Sequence, residues 1–396
     1  MKLSERAKGI SASITLEITA KAKELKENGV DVISFGVGEP DFNTPENILK
    51  AANCAMVEGK TKYTEVAGVK NLREEICKKL KKENNLDYKI DQIIVSNGAK
   101  QCLANAFMAI LNQGDEVIIP MPYWVSYPEL IKLSGGIPVT VNTNENNSYK
   151  YTIDCLKEVL TEKTKALIIN SPNNPSGAVY TKEELLDIAN FAEENNLIII
   201  SDEIYEKLIY DNEEHISIAS LSKYAYENTI VINGLSKSSA MTGWRVGYAA
   251  SNKEVIKHMI SIQSHMTSNI NSVSQYASIE AIKNSIESIK EMVKEFDKRR
   301  LYMVERLDKI KGIDYIVPKG AFYIMVNVSS TYGKEINGNK IIDSMSFSRE
   351  LLENKNVAVV PGIAFGLDNY IRLSYATSIE NIEKGLDRIE SFINSL

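Results

Sequence analysis

The chain has 396 residues, 44% hydrophobic and 25% charged, enough for two or three domains each able to bury a core. Lys and Arg number 46 against 52 Asp and Glu, a formal charge of −6 without a basic stripe, which argues against nucleic acid as the main partner. His215, His258 and His265 are the only histidines and show no metal spacing or pairing with a nucleophile, so neither a metal site nor triad chemistry is expected.

The chain opens MKLSERAKGISASITLEI, with no apolar leader, and no run approaches the roughly 18 apolar residues of a membrane span. The cysteines Cys54, Cys77, Cys102 and Cys155 form no CxxC pair and read as small core residues of a reducing compartment. A cytoplasmic protein is expected. Short apolar runs then alternate with helical patterns: QIIVSNG (92–98), EVIIPMP (116–122), KALIINSP (165–172), LIIISDE (197–203) and TIVINGLSK (229–237). This is the pattern of a parallel α/β sheet. Between the third and fourth runs, Thr181 and Glu184 form a capping box for a helix burying Leu185, Ile188 and Phe191. One long helical pattern covers about 275–310, a connector to a second domain holding VPKGAFYIMVNV, VAVVPG and an amphipathic tail.

Each run ends in polar residues, Gly or Pro. Ligands of open α/β sheets bind at the carboxyl ends of the strands, so these clusters are expected to converge on one crevice, although each alone reads as turn chemistry. Asp202 ends an apolar strand with Tyr205 three residues on; its carboxylate either needs a cation or caps a helix. Asn174 sits in NSPNNPSG, where two prolines and a glycine restrict the backbone, as in a surface turn. Gly98, Ala99 and Lys100 lead into a helix starting near Gln101, whose free N–H groups suit a phosphate. Arg245 is a phosphate partner with Ser236, or a surface ion pair. Arg372 alternates with apolar residues and, if buried, needs an anion from the protein or a ligand. Lys237 leaves an apolar strand, either solvated or desolvated for chemistry. One cofactor uses this set without metal or thiol: pyridoxal 5′-phosphate (PLP), with its aldehyde on Lys, its pyridinium on Asp and its phosphate on N–H, hydroxyl and Arg groups.

In their order GVGEPDF, KYTEVAGVKNLRE, PMPYWVSYPE, NSPNNPSG, SDEIYEKL, GLSKSSAMTGWRVGY and YIRLSYA, these motifs resemble the class I aminotransferases of PLP fold type I. The resemblance covers nearly the whole chain and is closest to the bacterial and archaeal aspartate aminotransferase subgroup. It implies a large PLP-binding domain over 46–290 with a mostly parallel sheet flanked by helices. An N-terminal arm (1–45) and a smaller α+β domain (291–396) complete it. It further implies Lys237 as the Schiff-base lysine, Asp202 on the pyridinium nitrogen, and Tyr205 and Asn174 on the phenolic oxygen. Trp124 would stack on the ring, and Ala99, Lys100, Ser236 and Arg245 would hold the phosphate. Tyr63 would reach the neighbouring subunit's phosphate, making the active unit a homodimer. Arg372 would clamp the substrate α-carboxylate with Asn174 and the backbone at Gly38. The implied reaction moves an amino group between L-aspartate or L-glutamate and a 2-oxo acid such as 2-oxoglutarate.

Two departures stand out. Gly234 occupies a position where many relatives carry a phosphate-binding Ser, so a contact is lost or passed to water. The segment QSHMTSNINSVS lacks the Arg that animal-type enzymes aim at the distal carboxylate; the subgroup's answer is a Lys at the Lys100 position, with Ser13 and Thr15 nearby. Lys100 serves either that carboxylate or only the phosphate. The rival readings are an aminotransferase for aromatic amino acids, alanine or prephenate, a β-lyase of the same fold, and a non-catalytic regulator. A dinucleotide oxidoreductase built on FGVGEPDF is also considered, although Asp41 stands where the third glycine of GxGxxG belongs.

Overall fold

In the computed structural model, which describes residues 2–396, the five apolar runs become strands. They are β1 (Ile93–Asn97), β2 (Glu116–Met121), β4 (Thr164–Asn170), β5 (Ile198–Asp202) and β6 (Thr229–Gly234). Two strands not read from the sequence, β3 (Ile137–Asn142) and β7 (Val246–Ala250), complete a seven-stranded sheet ordered β1-β7-β6-β5-β4-β2-β3. From β3 to β6 all pairings are parallel. β7 runs antiparallel to both β6 and β1. The two reversals cancel, so β1 points the same way as β6 and all five polar strand ends face one side.

Burial explains the runs. β5 and β6 are buried almost throughout, because helices cover both faces, and the strands are therefore continuously apolar rather than alternating. β3 is an edge strand with exposed positions and Pro138, a residue tolerated at an edge. β7 (VGYAA) sets Gly247 and two alanines beside Val246 and Tyr248; a side chain at Gly247 would overlap the backbone at Gly98 and Ala99, where the helix after β1 begins.

The helix Lys182–Glu194 starts with the expected reciprocal cap, Glu184 N–H donating to Thr181 Oγ1 at 3.3 Å and Thr181 N–H donating to Glu184 Oε2 at 2.8 Å. It buries Leu185, Ile188 and Phe191. The single long helix expected over 275–310 is instead two, Ser272–Asn284 and Ile286–Leu307, broken at Ser285. Asn284 and Ser285 favour caps over helix interiors, and the apolar spacing continues across the break because it reports the buried face, not backbone continuity. Of the cysteines only Cys102 is buried; Cys77 and Cys155 are half-buried and Cys54 is exposed, all free. Cys54 lies on the outer face of Glu46–Val57, whose inner face is Ile48, Ala52 and Ala55.

Beyond the sheet, β8 (Asp314–Tyr315), β9 (Tyr323–Asn327), β10 (Val360–Pro361) and β11 (Tyr370–Ser374) form an antiparallel sheet ordered β10-β11-β9-β8. Ile33–Ser34 pairs in parallel with Val357–Ala358, tying the N-terminal segment to this unit. One hydrophobic cluster joins Phe35, Phe296, Phe322, Leu373 and Phe392 with Tyr205 and Leu208 from the turn after β5. That shared core sets β11 against the end of β5. Among the described residues no helix is long and apolar enough to cross a membrane.

Candidate active site

The five strand ends do converge, on a cavity of about 420 Å³. The end of β1 contributes Ala99 and Lys100, the loop after β2 Trp124, and the loop after β4 Asn174. Asp202 and Tyr205 come from the end of β5, and Ser236, Lys237 and Arg245 follow β6. Arg372 enters from β11, and Ser13, Thr15 and Gly38 from the N-terminal segment. Tyr63 alone among the sequence-read residues lies outside it, 91% exposed. The wall carries four cationic side chains, Lys100, Lys237, Arg245 and Arg372, against one carboxylate, Asp202.

Asp202 is buried, and burial raises its pKa from 3.8 to about 6. The rise is limited by the Tyr127 hydroxyl, which donates to Oδ2 at 2.7 Å, and by Ile204 N–H, which donates to Oδ1 at 3.3 Å. No helix follows for Asp202 to cap; residues 204–207 form a turn. Lys237 Nζ donates to the Gly38 carbonyl. Burial, with Arg372 and Arg245 nearby, lowers its pKa from 10.5 to about 8. Lys237 thus stands half-buried in the cavity wall and not at a freely solvated strand tip. Arg372 is 2% exposed and has no carboxylate partner among the described residues. Its Nη1 donates to Asn174 Oδ1 at 2.9 Å and its Nη2 to Gly36 O at 3.2 Å, while its Nε has no partner. An internal ion pair, the alternative left open by the sequence, is absent. A buried guanidinium without a protein anion keeps an uncompensated charge, which favours an anionic ligand beside it.

The helix Ala99–Ile110 begins at Gly98, φ 78°, with no side chain capping its first turn. Its N–H groups and dipole therefore face the cavity, where an anion is stabilised. Arg245 adopts a left-handed backbone, φ 56°, a costly conformation that tends to mark functional positions. It turns its guanidinium back to the carbonyls of Thr242 (2.9 Å) and Asn97 (3.3 Å) rather than to a carboxylate. Gly234 is where a Cβ would come 2.8 Å from Val246 O and 3.0 Å from Gly247 Cα. The β6–β7 pairing therefore leaves little room for a side chain at this position. This donor set fits PLP: a lysine of lowered pKa for the aldehyde, a buried carboxylate for the ring nitrogen, and a helix start with Ser236 and Arg245 for the phosphate. Trp124 lines the same cavity.

Lys100 Nζ lies 5.0 Å from the Trp124 ring centroid, its pKa lowered by burial and by Arg245. Ser13 caps the helix Ile14–Glu27. Thr15 Oγ1 is buried without a partner, an acceptor or donor left over for a ligand. Tyr127, Tyr323 and Phe365 escaped the sequence reading. Tyr127 and Tyr323 both line the cavity; Tyr127 stands three residues after Trp124, a helical spacing that was its only local signal. Glu203, Glu206 and His215 also group together, with ligand-type atoms within 4.8 Å. Their carboxylates are held by Ser201, Ser217, Asn84 and Lys79.

A family model for aminotransferase class I and II matches residues 30–389. The aspartate aminotransferase of Bacillus sp. (strain YM-2) is 51% identical, with 99% of each chain covered. That of Bacillus subtilis (strain 168) is 48% identical at the same coverage. A solved aspartate aminotransferase of Thermus thermophilus with maleate superposes with a TM-score of 0.94 at 41% identity over 100% of both chains. The chain belongs to the aminotransferase class I and II family and is an α/β enzyme of that fold. Membership removes the dinucleotide oxidoreductase: the glycine-rich segment at 35–42 instead carries the carbonyl that Lys237 binds.

Proposed function

We propose that this enzyme uses pyridoxal 5′-phosphate to move an amino group between L-aspartate or L-glutamate and a 2-oxo acid such as 2-oxoglutarate, in a ping-pong cycle. The observation that carries the reading is the charge of the cavity, four cations and one carboxylate, with both arginines lacking a protein anion. A phosphate and a dicarboxylate are the anions that answer it.

Bound PLP supplies an aldehyde that takes the amino group and a ring that accepts the electrons of the broken Cα–H bond. Asp202 would pair with the ring nitrogen and favour its protonated form. Tyr205 and Asn174 hold the phenolic oxygen, and Ala99, Lys100, Ser236 and Arg245 the phosphate. Arg372, with Asn174 and the Gly38 backbone, orients the α-carboxylate bidentately. Lys237, its pKa lowered by burial, would serve as the base that holds and moves the substrate's Cα proton. Lys100, Ser13 and Thr15 receive the distal carboxylate. We read residues 46–290 as the cofactor-binding unit and the active species as a cytoplasmic homodimer in which Tyr63 reaches the partner's phosphate. The exposure of Tyr63 beside the exposed apolar Met56 and Val57 supports that reading.

A second reading, preference for aromatic amino acids, alanine or prephenate, is favoured if Lys100 serves the phosphate, as its proximity to Arg245 allows. The test is the visible spectrum of the purified protein with PLP, before and after L-aspartate or L-phenylalanine. A yellow band bleached by aspartate, with oxaloacetate formed, supports the first reading. Bleaching by phenylalanine alone supports the second. No band in excess PLP refutes the role of Lys237.

A further inference from the structure

We infer that Tyr323 is a positioning residue that couples the cofactor's phenolic edge to the substrate clamp, its hydroxyl holding Tyr205 and its ring holding Arg372. The inference rests on the cofactor and substrate reading above. Tyr323 lies on β9, 1% exposed. In the β9–β11 ladder Tyr323 pairs with Ser374 and Met325 with Arg372, so Tyr323 and Arg372 are diagonal neighbours on one face, within reach of long side chains. The Arg372 guanidinium carbon lies 4.2 Å from the Tyr323 ring centroid and 5.0 Å from that of Phe365. The two aromatic rings thus hold the guanidinium, leaving hydrogen-bond positions for a carboxylate. For a buried arginine with no protein anion, this is how orientation and partial charge compensation are achieved at once.

The hydroxyl does separate work. Tyr323 Oη lies 3.0 Å from Tyr205 Oη, and only one of the two donates in that contact. With Tyr323 as donor, the Tyr205 proton is free to point into the cavity at the ligand. Gly38 completes the arrangement: a Cβ there would come 3.2 Å from Tyr323 Oη. One side chain therefore touches the phenol, the guanidinium and the glycine loop, which arrive from three distant parts of the chain.

The test compares Y323F, Y323L and wild type by two measurements: the pH midpoint of the visible band of the PLP-loaded protein, and calorimetric binding of succinate to loaded and cofactor-free protein. Y323F removes only the hydroxyl. It is expected to raise the spectral midpoint by roughly half to one pH unit, the size of one net hydrogen bond, and to leave succinate affinity unchanged. Y323L also removes the ring and is expected to weaken succinate binding about tenfold. A Y323F midpoint equal to wild type overturns the hydroxyl half; wild-type succinate affinity in Y323L overturns the ring half. Y323F keeps the packing volume and so decides its half whether or not Y323L folds. If wild type itself shows no band with PLP, the cofactor reading fails, while succinate binding to cofactor-free protein still decides the coupling of ring and guanidinium.

Discussion

Arg372 and Asn174 stand 198 residues apart in the chain and meet at 2.9 Å, the guanidinium donating to the amide oxygen. The partner's chemistry matters more than the distance. A neutral amide orients the guanidinium and leaves its charge uncompensated, so the site stays ready for an anion. A carboxylate in the same place would satisfy the charge and close the site. N174D is therefore expected to weaken both L-aspartate and 2-oxoglutarate, and R372K, which keeps the charge but loses the fork, to do the same. Each should lose roughly 10- to 100-fold in kcat/KM, the worth of one or two charged hydrogen bonds. Steady-state kinetics with each substrate varied checks this; an effect on only one of them would contradict a shared α-carboxylate clamp.

Lys100 separates the two substrate readings. If its ammonium meets the distal carboxylate, K100A raises the KM for aspartate about tenfold or more and barely changes that for phenylalanine. If Lys100 serves the phosphate, both substrates suffer equally and PLP dissociates more readily. Parallel KM measurements with a PLP-release assay distinguish these outcomes.

Most of the sheet was legible because parallel strands buried on both faces leave unmistakable Ile- and Val-rich runs. β3 and β7 were not, for opposite reasons. β3 is an edge with Pro138 and exposed positions, whereas β7 (VGYAA) is short and carries Gly247, which packs against the Ala99 helix start, and two alanines, residues of low strand propensity. The polar strand ends were legible as a group because the sheet topology sends them to one side. Tyr127 and Tyr323 stayed hidden since their contacts, with Asp202 and Tyr205, span 75 and 118 residues. The missing counter-ion of Arg372 was equally unreadable: no local pattern says which partner a buried arginine lacks.

Gly234 permits a test of packing against cofactor binding. A serine in its place would offer a hydroxyl to a bound phosphate, but its Cβ would come 2.8 Å from Val246 O. G234S is expected to lower the stability of the cofactor-free protein by about 1–3 kcal/mol, as overpacking does, measured by denaturant unfolding. Unchanged stability would mean that the β6–β7 pair yields easily, and tighter PLP binding should then follow.

Burial, with two guanidinium groups nearby, pushes the Lys237 pKa from 10.5 down to about 8. At pH 7.5 roughly a quarter of the protein then carries a neutral amine, against about one part in a thousand for an ordinary lysine. The rate at which cofactor-free protein captures PLP should therefore level off above pH 8, not continue rising toward 10.5. K237R should show no capture band. Stopped-flow absorbance across pH 6–10 reads the midpoint directly.

Asp202 has the opposite linkage. Its folded pKa, about 6, lies above its ordinary 3.8, so between those values the folded protein holds a proton that the unfolded chain has released. The stability of the cofactor-free protein therefore falls as pH rises from 4 to 6. The full cost, about 3 kcal/mol at most, is present above pH 6. D202N abolishes that titration, so the wild-type-minus-D202N difference in unfolding free energy should become more negative from pH 4 to pH 7; a flat difference would mean that the carboxylate is not buried as a charge. Y127F removes the donor that favours the ionised form, and should push the pKa higher still. In that variant the acid limb of PLP binding moves upward in pH, because the ring nitrogen needs the carboxylate and not the acid. On the proposed pairing of Asp202 with the ring nitrogen, the stability that the folded protein forgoes to keep Asp202 charged and dry would be recovered when the protonated ring supplies the missing cation, so added PLP should raise the Tm of wild type more than that of D202N.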